Sequence, residues 1–185
     1  MIVALPFPAT LADLMKVEGK AELIGGRIVE HMASGRLPNR IAKRIVRALD
    51  DYTARSGVGE AFPDNLGYAL DPPLLSGRQS FSPDASYFIG VFPANEMAFV
   101  DGPPTFAAEV RSENDYGRSA EKVMAEKRAD YFEAGTLAVW DVDPVAKTIT
   151  LHTTDSEIGF GNGGLAHAEP ALPGWTLDIA GLFSS

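Results

Sequence analysis

The sequence predicts a mixed α/β (α+β) fold: a central β-sheet flanked by helices, with extra hairpins. Three observations predict it. Two stretches carry the apolar periodicity of helices, several short apolar runs are broken by Gly and Pro, and two pairs of runs are joined by turn residues. There is no internal repeat, linker or low-complexity tract. The chain, 1–185, is therefore expected to form one domain, long enough to bury a core without disulfides or a structural metal.

The elements follow in order. TLADLMKVEG predicts a short helix with Thr10 as N-cap and Gly19 at its end. KAELIGGRIVEHM predicts a hairpin whose Gly25-Gly26 pair supplies the positive φ angles of a tight turn. Residues 38–54 predict an amphipathic helix, with Ile41, Ala42, Ile45, Ala48 and Leu49 on one face. Arg40, Lys43, Arg44 and Arg47 lie on the opposite face, which could track a phosphate backbone or simply be solvated. From 58 to 110 the runs VGEAF, GYAL, ASYFIGV and TFAAEV predict strands, with PANEMAFVDGPP as a connecting loop. A second helix is expected from Ser119 to Ala134, closed by Gly135. LAVWDV and TITLH predict another hairpin across DPVAK. DSEIGFGNGG reads as a Gly-rich turn, without the Lys-Ser/Thr and following helix of a phosphate loop. LPGWTLDIAGLF closes the chain, and Trp140 and Trp175 read as core or interface anchors.

Composition narrows the chemistry. The chain has no cysteine, which excludes disulfides, thiolate zinc sites and a cysteine nucleophile. Its three histidines are scattered without metal-ligand spacing, which argues against a His-rich zinc site. The net charge of −9 counts against a large non-specific nucleic-acid surface. It leaves room for a local basic surface, or for carboxylates offset by a bound divalent cation. No apolar run approaches a membrane span, and MIVALPFPAT lacks the basic and apolar regions of a leader. The expectation is a soluble cytoplasmic protein with no membrane partner.

Three charges stand where apolar residues are expected. In FAAEVRSEND, Glu109 follows Phe106-Ala107-Ala108 and precedes Val110, in a run that reads as a buried strand. In FSPDASYFIGV, Asp84 opens an aromatic-rich run directly after Pro83. In SAEKVMAEKRADYFEA, Lys127 shares its helical face with Ala120, Val123, Met124, Tyr131 and Ala134. A buried charge is costly unless compensated. The lysine could extend its stem to water or pair with a buried acid. Two inward carboxylates and an inward ammonium together suggest metal-assisted phosphodiester hydrolysis. Mg²⁺ (or Mn²⁺) takes oxygen ligands, needs only one or two carboxylates, and activates a bound water. Tyr131 reads as core packing.

Taken together, these segments resemble the PD-(D/E)XK nuclease superfamily, and more closely the Uma-type "putative restriction endonuclease" family. AELIGGRIVE resembles the family's early hairpin with its recurrent Glu at Glu22. SPDASYF carries the Pro-Asp motif at Pro83-Asp84, and AAEVRS carries the Glu-Val-x-Ser element at Glu109, Val110 and Ser112. EKRADYFEAG resembles the helix in which Lys and Tyr stand four apart, here Lys127 and Tyr131. VWDVDP and LPGWTLDIAGLF resemble the following hairpin and closing segment. The resemblance implies a restriction-endonuclease-like core with Asp84 and Glu109 as metal ligands, helped by the Val110 carbonyl. It implies Lys127 as the catalytic lysine displaced onto the helix, and Glu22 as a supporting or additional acidic ligand. It also implies DNA as substrate and a homodimer.

The chain departs from the family pattern at three places. Arg111 stands where the usual motif has Lys, two residues after Glu109; it could clamp a phosphate or pair with Glu109. Asn39 stands where many members have His, and Ala138 where many have Glu. Two functions follow: a Mg²⁺- or Mn²⁺-dependent DNA endonuclease, or a catalytically inactive nuclease-fold protein serving as an interaction or nucleic-acid-binding module.

Overall fold

In a computed structural model of the chain, residues 7–161 and 163–184 are described. The leader reading of residues 1–6 and Asn162 of the Gly-rich stretch lie outside the described residues. The first helix, α1 (Leu11–Leu14), is short because its start is fixed by a capping box. The Thr10 hydroxyl accepts the Asp13 N–H, while the Asp13 carboxylate accepts the Thr10 N–H. Strands β1 (Ala21–Ile24) and β2 (Arg27–Glu30) form the expected hairpin, with Gly25 and Gly26 at φ 56° and 71°. Helix α2 (Arg36–Ser56) buries Ile41, Ala42, Ile45 and Leu49.

The strands that follow are β3 (Glu60–Pro63), β4 (Tyr68–Ala69), β5 (Ser80–Phe81), β6 (Ala85–Phe88), β7 (Val100–Asp101) and β8 (Phe106–Val110). Helix α3 (Arg118–Ala134) ends at Gly135, whose N–H bonds the carbonyls of Tyr131 and Phe132 and whose φ of 109° turns the chain so that the Thr136 N–H reaches Tyr131 as well. Then come β9 (Ala138–Asp143), β10 (Thr148–His152), β11 (Glu157–Phe160), β12 (Leu165–His167), β13 (Thr176–Asp178) and α4 (Ile179–Phe183).

A mixed six-stranded sheet of order β11-β10-β9-β8-β6-β3 organises the chain. Only β8 and β9 run parallel, joined by α3 as the crossover; the other neighbours are antiparallel. Alternation along the strands gives the sheet two apolar faces. Phe106, Ala108, Val110, Trp140 and Val142 pack with Ile41, Ile45 and Leu49 of α2, and Trp140 stacks on Trp175 at 5.0 Å. Ala107 and Val139 pack on the opposite face with Tyr131 of α3. The expected fold class is the observed one.

Three local expectations need correction. Glu157–Phe160, read as part of a Gly-rich turn, is strand β11, with Ile149 opposite Phe160 and Thr150 opposite Gly159. A sheet edge tolerates the glycine because only one side of the strand is paired. The loop PANEMAFVDGPP contains β7, which pairs parallel to β4 through partners more than thirty residues away. Val123 is 60% exposed rather than inward. Full burial on α3 begins only at Asp130 and Tyr131, so its first turns project past the core. No helix among the described residues is long and apolar enough to cross a membrane.

Candidate active site

The sheet register sets out a row of acids. Ala85 of β6 lies opposite Ala108 of β8, and one further step in that register sets Asp84 against Glu109. Glu109 lies opposite Asp141 of β9. Because Ala107 and Val139 face α3, Glu109 and Asp141, two residues on, face it as well. Each acid has its own cation.

Lys127 reaches in from α3 and bridges two glutamates, with Nζ 2.8 Å from Glu109 Oε1 and 3.0 Å from Glu22 Oε1. The Tyr131 hydroxyl, one turn along, donates to the same Glu109 oxygen at 2.6 Å, while its ring stacks on Phe81 at 4.1 Å. Tyr131 is therefore core packing and a site donor at once. No hydrogen bond reaches Glu109 Oε2 among the described residues. Glu22 has no such spare oxygen. Its Oε1 accepts the Ser82 N–H at 2.9 Å besides Lys127, and its Oε2 accepts Arg78 Nη1 at 2.6 Å with His31 Nε2 at 3.6 Å. Arg78 in turn donates from Nε to Asp130 at 2.7 Å.

Asp84 is held from two sides. Its Oδ2 accepts the Val110 N–H at 2.8 Å, a side-chain bond to the backbone just past the last β6–β8 pair. Its Oδ1 accepts Lys20 Nζ at 2.6 Å, and the same ammonium lies 2.7 Å from Asp64 Oδ1. Among the described residues, no group of three or more His, Asp or Glu side chains is arranged to hold a metal ion.

The environment separates these groups electrostatically. Burial pushes the Glu109 carboxyl up, and the Lys127 charge does not cancel the effect. Burial acts on Glu22 in the same sense, but Lys127, His31 and Arg78 outweigh it and hold that carboxyl well below the usual range. Burial would lower Lys127, yet Glu109 and Glu22 raise it, so it remains an ammonium. Lys20 is raised in the same way, by Asp84 and then Glu109 against burial. Burial and the neighbouring Glu109 raise the Tyr131 phenol well above its ordinary value, so it is a donor.

The basic residues separate into different surroundings. Arg111 does not pair with Glu109: it grips Asp141 with Nε–Oδ1 at 2.8 Å and Nη2–Oδ2 at 2.7 Å, and also binds Glu121. Arg44 donates to the carbonyls of Leu182 at 2.8 Å and Ser184 at 2.6 Å at the end of α4. Arg40 is half-buried, and its Nε has no partner among the described residues. Lys43 and Arg47 line a cleft of about 410 Å³ together with Asn39, Pro63, Asp64 and Asp84.

Sequence reasoning missed Lys20, Arg78 and Asp130. One had a usable signal, Asp130, which lies three residues after Lys127 on a helix; Lys20 had none, because its partners Asp64 and Asp84 are remote in sequence. Arg78 lies in a turn segment and carries none.

A sequence profile described as "Uma2: Putative restriction endonuclease" matches residues 9–180. The chain belongs to this family. No curated protein sequence matches the chain. Among solved structures, one from Anabaena variabilis, described as a putative nuclease belonging to DUF820, matches with a TM-score of 0.73 at 21% identity. The match covers 95% of this chain and 98% of that one, so the Uma2 chain shares its fold throughout.

Proposed function

We propose that this Uma2 protein is a divalent-metal-dependent endonuclease that hydrolyses phosphodiester bonds in DNA. The observation that carries the reading is the adjacent pair Asp84 and Glu109 with the Lys127 ammonium 2.8 Å from Glu109. The donor set suits a hard cation: two carboxylates where neighbouring strands adjoin, one with an oxygen that no hydrogen bond claims among the described residues. Asp84 and Glu109 would hold Mg²⁺ or Mn²⁺, with the Val110 carbonyl as a further ligand. Bound there, the ion would lower the pKa of a water and offset charge on the phosphoryl oxygens. Glu22, with both oxygens taken, fits the supporting role: it keeps Lys127 charged and in place.

In the hydrolysis, a water oxygen forms the new bond to phosphorus and gives up one proton to solvent, the bond to one sugar oxygen breaks, and that oxygen takes one proton from solvent. Lys127 donates hydrogen bonds to the attacking water or to a phosphoryl oxygen; held as an ammonium, it does not act as the base. Lys43 and Arg47 meet backbone phosphates in the cleft that ends at Asp84. The proposed working form is a cytoplasmic homodimer, which sedimentation would check.

The test is cleavage of plasmid, single-stranded and branched DNA with Mg²⁺ or Mn²⁺, paired with calorimetric metal titration. Wild type cleaves and binds metal, and Asp84→Ala does neither. A second reading, an inactive nuclease-fold module, draws on Arg111, which stands at the usual lysine position and is fully engaged by Asp141 and Glu121. Wild type that neither binds metal nor cleaves any of these substrates would decide for that module.

A further inference from the structure

We infer that Lys20 is the site's own cation, occupying the place of a divalent ion at Asp84, so that a metal gains Asp84 only by displacing it. The inference rests on the metal-site reading above and concerns a residue that no part of that reading uses.

The geometry is one-sided. Of the two carboxylates, Glu109 keeps Oε2 open, whereas both oxygens of Asp84 are occupied, Oδ2 by the Val110 N–H and Oδ1 by Lys20. The Val110 donor is a backbone N–H at the end of β8 and is fixed by the strand. Lys20 is the exchangeable partner, because its ammonium is carried on a flexible four-carbon stem. It is nevertheless held in place. Its side chain is only 16% exposed, and its carbonyl accepts the His31 N–H at 2.9 Å, which anchors the backbone beneath it. A single positive charge thus sits 2.6 Å from Asp84 and 2.7 Å from Asp64, two oxygens converging on one point.

Asp64 supplies the place to which the lysine withdraws. It follows directly on Pro63 at the end of β3, and it lines the same cleft as Asp84, Lys43 and Arg47. Its side chain is 37% exposed against 21% for Asp84, so Asp64 is the more solvated of the two carboxylates, while Oδ1, the atom that faces Lys20, is buried and accepts no hydrogen bond among the described residues. A divalent ion presents twice the charge of the ammonium to the same carboxylate, which favours the exchange once the ion has shed water. Displacement then brings Lys20 into line with Lys43 and Arg47 along the face where phosphate would lie. Lys20 is a positioning residue in this scheme.

The experiment compares wild type with Lys20→Met and Lys20→Arg by calorimetric titration with Mn²⁺ into metal-free protein, and by thermal melting in EDTA. Removing a competing charge of this kind strengthens Mn²⁺ binding by about tenfold or more in Lys20→Met, while Lys20→Arg stays near wild type. In EDTA, Lys20→Met melts below wild type, since Asp64 and Asp84 then repel each other, and Mn²⁺ restores it. Should Lys20→Met not fold, Lys20→Gln carries the same comparison. Wild type that binds Mn²⁺ with a neutral variant no tighter overturns the role of Lys20 and leaves the metal site standing. No binding by wild type or variant overturns the metal site, and this inference with it. Binding by the neutral variant alone supports the inference most strongly.

Discussion

Glu109 and Asp141 lie side by side on adjacent parallel strands, face the same helix, and are both shielded from water, yet they are treated differently. Asp141 meets a guanidinium whose fork matches the carboxylate, so both of its oxygens are bonded, and Arg128 adds a third contact at 3.4 Å. Glu109 meets a lysine and a phenol that crowd onto one oxygen and leave the other open. Burial then pushes its carboxyl up, because its partners do not fully compensate the lost hydration. The first arrangement ties β9 to α3 and the segment after β8. The second leaves a carboxylate oxygen with capacity for a cation. What separates the two acids is the oxygen that the partners of Glu109 leave unclaimed.

The strongest way to break this contrast is to neutralise each acid in turn. Glu109→Gln should abolish the Mn²⁺ binding heat and reduce DNA cleavage on the order of 100-fold or more. Asp141→Asn should retain measurable cleavage and lower stability instead. Next in size, Arg111→Ala leaves Asp141 buried with only a distant arginine, and should cost about 3 kcal/mol in urea unfolding while the Mn²⁺ heat persists. Loss of metal binding in Arg111→Ala would show that the two acids are not independent.

The two glutamates that share Lys127 sharpen the contrast through pH. Glu22 is held below its ordinary value near 4.5, so the unfolded chain takes up a proton there before the folded one does. Its contribution is complete above that value and is lost as pH falls through the native one. Glu109 is displaced upward, so the folded protein binds the proton more readily. Its ionised form costs stability at neutral pH, and the cost disappears as pH falls below the unfolded value. Relative to wild type, Glu22→Gln should therefore lose stability as pH rises toward about 4.5 from below, and Glu109→Gln should gain stability as pH rises above about 4.5. Urea midpoints at several pH values would read this, and slopes of equal sign would refute the assignment. The smallest effect is that of Tyr131→Phe, which keeps the stack on Phe81 and removes one donor to Glu109. It should cost about 1 kcal/mol in the same assay.

Much of this arrangement was legible in the sequence, for local reasons. The two long helices and both hairpins announce themselves by periodicity and turn residues, with glycines at the positive-φ positions of the first hairpin and of both helix ends, and Lys147 at that of the second hairpin. Asp84, Glu109 and Lys127 stand out because each interrupts an apolar pattern with a charge. The two-residue strand β7 and the Gly-containing edge strand β11 were not legible, since each is held by pairing rather than by its own composition. Lys20 and Arg78 escaped because their partners are remote: Lys20 is 64 residues from Asp84, and Arg78 is 56 from Glu22. Spacing along a chain cannot reveal a bond of that kind. The assignment of Arg111 could have gone either way, because its partner lies on the neighbouring strand and becomes visible only when β8 and β9 are laid in register.

That register has a consequence for how the chain can change. Insertion or deletion of a single residue within β8 or β9 would reverse the parity of everything beyond it. Glu109 or Asp141 would then be delivered to the side occupied by Trp140, Phe106 and α2, where no counter-charge waits. The strands can accept new side chains but not a new length. A change of length in the connections on either side, residues 112–117 before α3 and the turn at 144–147 after β9, would leave that parity intact.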